Sequence, residues 1–238
     1  MNKAICVGLL QAVSVLGSVF GQARQMPAKE SVPIPELRRW EDNMKKYGVK
    51  HGAERGYAIT AGYRSEAYVW YYDGPRVFYQ IADYTGDPKW NEAAENCLET
   101  YRGYVFALKG RAPGWRVFPH GLDMHFRRTV HEKSKEAAIL LSKNTPYAAV
   151  GGGVGEESSR ETAYCIHAYL VAEALGEPRH SKLEQAVEHA LGHIDQWFVQ
   201  NVSKNWAPFM FGLTCEALIS YHDQVKKDAR ILPAIKMG

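Results

Sequence analysis

The sequence predicts an all-α fold for most of its 238 residues. Apolar side chains recur every three or four residues through several long segments, which is the spacing of one helix face. The alternation of apolar and polar residues that is typical of strands is scarce. In two places a short turn with glycine and proline joins a helix that is apolar on most sides to a helix with one apolar stripe. This repeat predicts paired inner and outer helices.

Composition and charge narrow the class of protein. The chain is 46% apolar and 23% charged, which is typical of a folded domain rather than a disordered one. Its 29 Lys and Arg against 26 Asp and Glu give a net charge of only +3, and no dense basic tract is present. A nucleic-acid partner is therefore not expected.

Residues 1–23 have the pattern of a secretory signal peptide. Lys3 precedes an apolar run from Ala4 to Phe20, and the small residues Gly21 and Ala23 occupy the third and first positions before a cut after Ala23. The alternative is a membrane anchor, but the run is short for a membrane span and is interrupted by polar residues. We expect a periplasmic or secreted protein with no membrane span after cleavage.

The segment 24–35 contains three prolines and predicts a linker, so the helical-hairpin domain comprises residues 36–238. Apolar spacing predicts a first helix over 36–47. The pair Gly74-Pro75 breaks an aromatic-rich segment and predicts that a helix restarts there.

The first helix-joining turn is Thr85-Gly86-Asp87-Pro88. Gly86 ends one helix, Asp87 caps the next, and Pro88 suits a first helical turn. The helix that follows carries its apolar residues on one face, among them Trp90, Cys97 and Tyr101.

The second copy begins with residues 163–175, which are apolar almost all round. Gly176-Glu177-Pro178 forms the turn, and Ser181 with Glu184 predicts a capping box for a helix with one apolar stripe over 183–198. A third inner helix starts near 211–218. Between the copies, residues 109–157 are predicted as a long loop insert with one short helix near 129–142.

The segments 84–90 (YTGDPKW) and 211–218 (FGLTCEAL), together with the repeat, resemble the six-hairpin (α/α) toroid proteins. That superfamily includes glycoside hydrolases, polysaccharide lyases and sugar epimerases, and terpenoid-cyclase-like toroids share the same rhythm. The resemblance covers residues 36–235 and implies an α/α toroid-like array of inner and outer helices with a carbohydrate ligand. A full ring needs a longer chain, so the resemblance implies an incomplete ring, a missing C-terminal portion, or self-association that covers exposed inner helices.

Three cysteines follow the predicted cut: Cys97, Cys165 and Cys215. They lie within apolar helical patterns and are expected to be buried thiols, with a bridge between Cys165 and Cys215 left open. Their spacing is not that of a zinc site, so we expect no metal and no cofactor.

Functional residues are expected on the long connections opposite the short turns. One candidate group is Glu156, Glu157 and Arg160, because adjacent carboxylates can serve as acid and base. The alternative is helix capping, for which Ser158 and Glu161 have the spacing of a capping box. The glycine-rich run 151–155 lacks the signature of a nucleotide loop.

A second candidate group is Trp115, Arg116, His120, Asp123 and His125. Histidine and aspartate could supply a base beside cationic groups. In a polysaccharide lyase, an uncharged His or Tyr removes the proton next to a uronic carboxylate that an Arg neutralises, and the residue types agree with this chemistry. The alternative is an irregular loop with hydrogen-bonded histidines.

The third candidate group is aromatic and charged: Arg64, Glu66, Tyr68, Tyr72, Asp73 and Trp206. Exposed aromatic faces stack on sugar rings, and carboxylates or arginines bind hydroxyl groups; the alternative is ordinary core packing. The expected function is an exported carbohydrate-active protein, either glycoside hydrolase or polysaccharide lyase. The alternatives are a non-catalytic periplasmic helical-repeat binding protein and an inactive fragment of a larger toroid enzyme.

Overall fold

A computed structural model describes residues 35–48, 70–202 and 207–238. The chain divides into two units, Met1–Arg39 and Trp40–Gly238, and the account below concerns the second. The signal-peptide segment and the site candidates Arg64, Glu66, Tyr68 and Trp206 lie outside the described residues.

The described residues form helices and no strand, which confirms the all-α prediction. The α-helices are α1 (Pro35–Asn43), α2 (Gly74–Thr85), α3 (Lys89–Ala107), α4 (Pro119–Thr129), α5 (Glu132–Asn144), α6 (Pro146–Val150), α7 (Ser159–Ala174), α8 (Leu183–Phe198), α9 (Pro208–Gln224) and α10 (Ile231–Ile235). Short irregular helices occupy Met44–Gly48, Gly114–Arg116 and Glu156–Ser158. Within these ranges, no helix is long and apolar enough to span a membrane.

Helices that follow one another in the chain pack in pairs. The pairs are α2 with α3, α4 with α5, α7 with α8, and α9 with α10. The first members stand side by side in the order α2, α4, α7, α9, and we call this arrangement the helix row. Arg76 of α2 forms an ion pair with Glu216 of α9, so side chains from the two ends of the row meet. The helix row is therefore bent.

Helix α7 is the centre of the core. Every residue from 161 to 172 is buried, as expected for a helix that is apolar on all sides. It packs with α4, α5, α8 and α9, and it contributes to two apolar clusters. Tyr164 and Ala168 belong to the cluster around Trp70 and Tyr101, whereas Ile166 belongs to the cluster on the α8 side.

The turns between paired helices confirm the sequence prediction. Gly86 and Gly176 have φ of 68° and 100°, where a side chain would strain the backbone. The Asp87 carboxylate accepts the N–H of Lys89 at 3.1 Å and so caps α3. The restart at Gly74 is also confirmed, because α2 begins there.

Both predicted capping boxes are wrong. Ser158 makes no side-chain capping bond, and Arg160 binds the Glu161 carboxylate instead. Near α8, the His180 ring nitrogen accepts the N–H of Lys182 at 3.2 Å, and the helix begins only at Leu183. In both places another side chain binds the glutamate carboxylate that the box would have used, because Arg160 donates to Glu161 and the Tyr221 hydroxyl donates to Glu184.

The insert 109–157 also differs from the prediction of a long loop with one short helix. It contains α4, α5 and α6, and the first two form a further helix pair. The sequence of α4 conceals this helix because its buried positions include Gly121 and His125 rather than a continuous apolar stripe.

The N-termini of α2 and α4 meet at the buried Asp73 carboxylate. Its two oxygens accept the N–H of Gly121 at 3.1 and 3.3 Å. The backbone N–H groups of Arg76 and His120 also face this carboxylate and act to lower its pKa. Asp73 itself has φ of 61°, an uncommon conformation for a residue with a side chain. One carboxylate thus joins two helix ends, where backbone N–H groups favour negative charge.

We predict that Gly121→Ala destabilises the protein by about 2 kcal/mol, because a Cβ at this position crowds buried atoms. It would lie 2.6 Å from both Asp73 Oδ1 and Pro75 Cβ. The matched control is Gly192→Ala in α8, where a Cβ meets nothing within 4 Å and should stabilise the helix by about 0.5–1 kcal/mol. Urea unfolding of both variants measures the difference. Equal effects would show that the contact at Gly121 relaxes without cost.

Candidate functional site

Five polar side chains from four helices meet at the bend of the helix row. We call this set the polar cluster: Asp73 and Arg76 from the start of α2, His120 from α4, His167 from α7 and Glu216 from α9. Each helix is held in place by its apolar neighbours, so the cluster is built on rigid elements rather than on loops.

The two histidines of the polar cluster are in contact. Their ring centroids are 4.6 Å apart, with the planes inclined at 70°. Nε2 of His120 and both ring nitrogens of His167 are buried and find no hydrogen-bond partner within the described part of the chain. The nearest carboxylate oxygen, Glu216 Oε2, is 4.0 Å from His167 Nε2. Buried polar atoms normally have partners, so these nitrogens stand out as candidates for ligand contacts.

Both imidazoles are held in the neutral form. Burial lowers the pKa of His167 to about 3, and the nearby Arg76 guanidinium acts in the same direction. Burial also lowers the pKa of His120 well below its usual value, with further contributions from His167 and Arg76 that outweigh the opposing Glu216. A neutral imidazole can accept a proton, but a pKa this low makes it a weak base until the negative charge of a bound ligand raises that pKa.

The carboxylates of the polar cluster have partners. Burial raises the pKa of Asp73 to about 6 against the opposing effects of Arg76 and the backbone N–H groups. Its oxygens bind the backbone of α4, so Asp73 connects helices. Glu216 is paired with Arg76.

A rim adjoins the polar cluster, formed by the half-exposed Tyr72, the partly exposed Arg160 and the buried Tyr164. The Tyr72 side chain is hydrogen-bonded to Arg160, and Tyr72 is 49% exposed. Tyr164 lies one helical turn before His167 and within electrostatic reach of Asp73, Tyr72 and Arg160. Burial raises its pKa, and Tyr72 and Asp73 act in the same direction against the opposing effect of Arg160, so the hydroxyl stays protonated at neutral pH. The rim therefore offers aromatic surface, a hydroxyl and a guanidinium.

The structure separates most of the second sequence-predicted group. His120 belongs to the polar cluster, but His125 Nδ1 lies 2.9 Å from Ser134 Oγ, and Asp123 pairs with Arg127 at 2.8 Å. Arg116 is buried beside the Trp70 and Tyr104 rings, 5.9 Å from each ring centroid. The neighbouring Trp115 is 39% exposed.

Glu156 and Glu157 lie against α8 and are not part of the polar cluster. They form the short helix Glu156–Ser158, and the N–H of Glu156 donates to Gln196 Oε1 at 3.0 Å. The proposed acid and base pair on this turn is therefore not brought together with His120.

The sequence interpretation missed Arg76, His167 and Glu216. A signal existed for two of them, because His167 and Glu216 are polar interruptions in helices that are otherwise mostly apolar. Arg76 gave no such signal, since its partner Glu216 lies 140 residues away.

The three cysteines Cys97, Cys165 and Cys215 are free thiols, so the bridge that the sequence left open is not formed. Among the described residues, no group of three or more His, Cys, Asp and Glu side chains is arranged to hold a metal ion.

No known family model, curated protein or solved structure shows significant similarity to this chain. A functional assignment must therefore come from the polar cluster and its rim.

We predict that acidification destabilises the protein through its buried histidines. The folded pKa of His167 is about 3 and that of His125 about 4, both below the usual 6.5. The unfolded chain therefore binds protons first, and stability falls as pH decreases from about 6.5 towards these values. Asp73 opposes this loss, because its raised pKa of about 6 makes the folded state bind a proton before the unfolded state does.

The His167→Gln variant should lose less stability than the wild type between pH 7 and pH 4, by on the order of 2 kcal/mol. Urea midpoints at several pH values measure this slope. His222→Gln serves as a control, because His222 lies on α9 with its Nδ1 near the Asp228 carbonyl. An unchanged slope in His167→Gln would contradict the assignment.

Proposed function

We propose that this chain is a carbohydrate-active protein in which the rim binds a sugar and the polar cluster supplies a neutral imidazole base. The observation that carries the proposal is the convergence of neutral His120 and His167 beside the Arg76–Glu216 ion pair, with His120 Nε2 and both His167 ring nitrogens unpartnered among the described residues. The nearby rim of Tyr72, Arg160 and Tyr164 has the groups that stack on sugar rings and bind their polar substituents.

The proposed architecture is an incomplete α/α toroid. Support comes from the consecutive helix pairs and from the ion pair that joins the two ends of the helix row. Helix α9 leaves Phe209 and Ile219 exposed, at 49% and 42%. An inner helix of a closed ring would be covered on this face, and self-association could cover it here.

Between the two reaction classes, elimination by a lyase is favoured over hydrolysis. A glycoside hydrolase uses two carboxyl groups as acid and as base or nucleophile. In the polar cluster, however, Asp73 is bound by backbone N–H groups and Glu216 by Arg76. By contrast, Nε2 of His120 and both ring nitrogens of His167 have no hydrogen-bond partner among the described residues.

In the proposed reaction, His120 or His167 takes the proton from the carbon next to a uronic carboxylate. The electron pair of that C–H bond forms a carbon–carbon double bond, and the glycosidic C–O bond breaks. The leaving oxygen takes a proton from the Tyr164 hydroxyl, which burial keeps protonated. Arg160 is placed to balance the charge of the sugar carboxylate, although its present partner is Glu161.

A non-catalytic sugar-binding protein is the second candidate. The observation that favours it is that both arginines already pair with carboxylates, Arg76 with Glu216 and Arg160 with Glu161. Such pairs can present a fixed polar surface to hydroxyl groups without taking part in a reaction.

Export to the periplasm or the medium is also proposed, on the pattern of residues 1–23 alone. Cleavage after Ala23 would leave Arg24 as the first residue. N-terminal sequencing of the protein recovered from cells and medium tests this cut.

We predict that the protein releases unsaturated products from a uronic polysaccharide and that His120→Gln or His167→Gln slows this release by about 100-fold or more. Ultraviolet absorbance detects the new double bond, and a reducing-sugar assay detects hydrolysis. Glu157→Gln is the matched control and should keep full activity, because Glu157 lies on the turn against α8.

Saturable sugar binding without any product would support the second candidate. Absence of both binding and product across a panel of neutral and uronic polysaccharides would refute the carbohydrate proposal. Loss of activity in Glu157→Gln alone would place the site at the α8 turn rather than in the polar cluster.

A further inference from the structure

Two histidines outside the polar cluster share one face of α8. His189 and His193 are four residues apart, which places their side chains one above the other along the helix. This spacing allows two imidazoles to bind one metal ion. Both Nδ1 atoms are buried and find no hydrogen-bond partner in the ranges that the structure describes.

A backbone carbonyl sets the tautomer of His193. Its Nε2 lies 2.9 Å from the carbonyl oxygen of Gly153. A carbonyl oxygen can only accept, so Nε2 carries the hydrogen and Nδ1 keeps a lone pair. This is the arrangement of a metal-binding histidine, whose other ring nitrogen usually donates to a carbonyl or a carboxylate. His193 is also fully buried, so its ring is held in position.

The loop that approaches this face is fixed and acidic. Gln196 accepts the N–H of Glu156 at 3.0 Å and donates to the carbonyl of Val154 at 3.2 Å. These two bonds and the one to Gly153 hold the loop against α8. The carboxylates of Glu156 and Glu157 lie within electrostatic reach of His193.

We propose that His189 and His193 form a two-imidazole site for a divalent transition metal ion such as Zn²⁺, Ni²⁺ or Cu²⁺. Imidazole suits these ions, and a carboxylate from Glu156 or Glu157 can join it. No third donor among the described residues is already in place. Rotation of a glutamate side chain or bound water must therefore complete the coordination, and we expect weaker binding than at a four-ligand structural zinc site.

Calorimetric titration of the full chain with ZnCl₂ tests the site, with Co²⁺ absorbance as a report on the ligands. We expect one ion per chain, and His189→Gln should weaken binding by about tenfold or more. Glu157→Gln should weaken Zn²⁺ binding by less than His189→Gln does, because the Glu156 carboxylate can take its place at the ion. The control is His222→Gln on α9, which should bind like the wild type.

His193→Gln also removes the bond to Gly153, so its folding is checked by circular dichroism and His189→Gln carries the conclusion. No binding at millimolar Zn²⁺, or equal binding by wild type and His189→Gln, would overturn the proposal. A Zn²⁺-dependent rise in the melting temperature that His189→Gln abolishes would support it. The outcome is independent of the sugar proposal, because none of these variants lies in the polar cluster.

Discussion

The buried carboxylate of Asp73 is the interaction on which the candidate site depends. It binds the N-terminal backbone of α4 and lies at the start of α2, so it fixes the first turns of both helices. Arg76 and His120 belong to those turns. Burying a carboxylate is costly, and a pKa raised to about 6 shows that the surrounding N–H groups offset only part of that cost. The part of the desolvation cost that is not offset is the energetic cost of holding Arg76 and His120 in position.

His167 is a second departure from maximal stability. It lies in α7, the most buried of the described helices, and both of its ring nitrogens lack hydrogen-bond partners in the described ranges. An apolar residue would fill this position without an unpaired polar atom. Unpaired buried polar groups of this kind are expected at functional sites, where a residue is retained for its chemistry although it lowers local stability. The polar cluster therefore contains unpaired polar atoms that stability alone would not favour.

The sequence predicted the parts of the fold that depend on short-range physics. Gly86 and Gly176 adopt positive φ, and the turns could be predicted from these residues alone. Helix α4 could not, because Gly121 and His125 are buried through contacts with other helices. The residue types of Asp73 and His120 indicate their candidacy from the sequence alone. The pairing of Arg76 with Glu216 could not be predicted from local spacing, because it depends on the bend of the helix row.

The same bend determines how a ligand can reach the buried imidazoles. On α9, Glu216 shares a face with Phe209, Gly212 and Ile219, all of which are exposed. The side chains of Arg76 and Glu216 are 28% and 37% exposed, whereas that of His167 is only 3% exposed. The ion pair thus lies between solvent and the imidazoles. A ligand approaching from this face must first contact or displace the pair, so the pair selects its charge before it reaches the imidazoles.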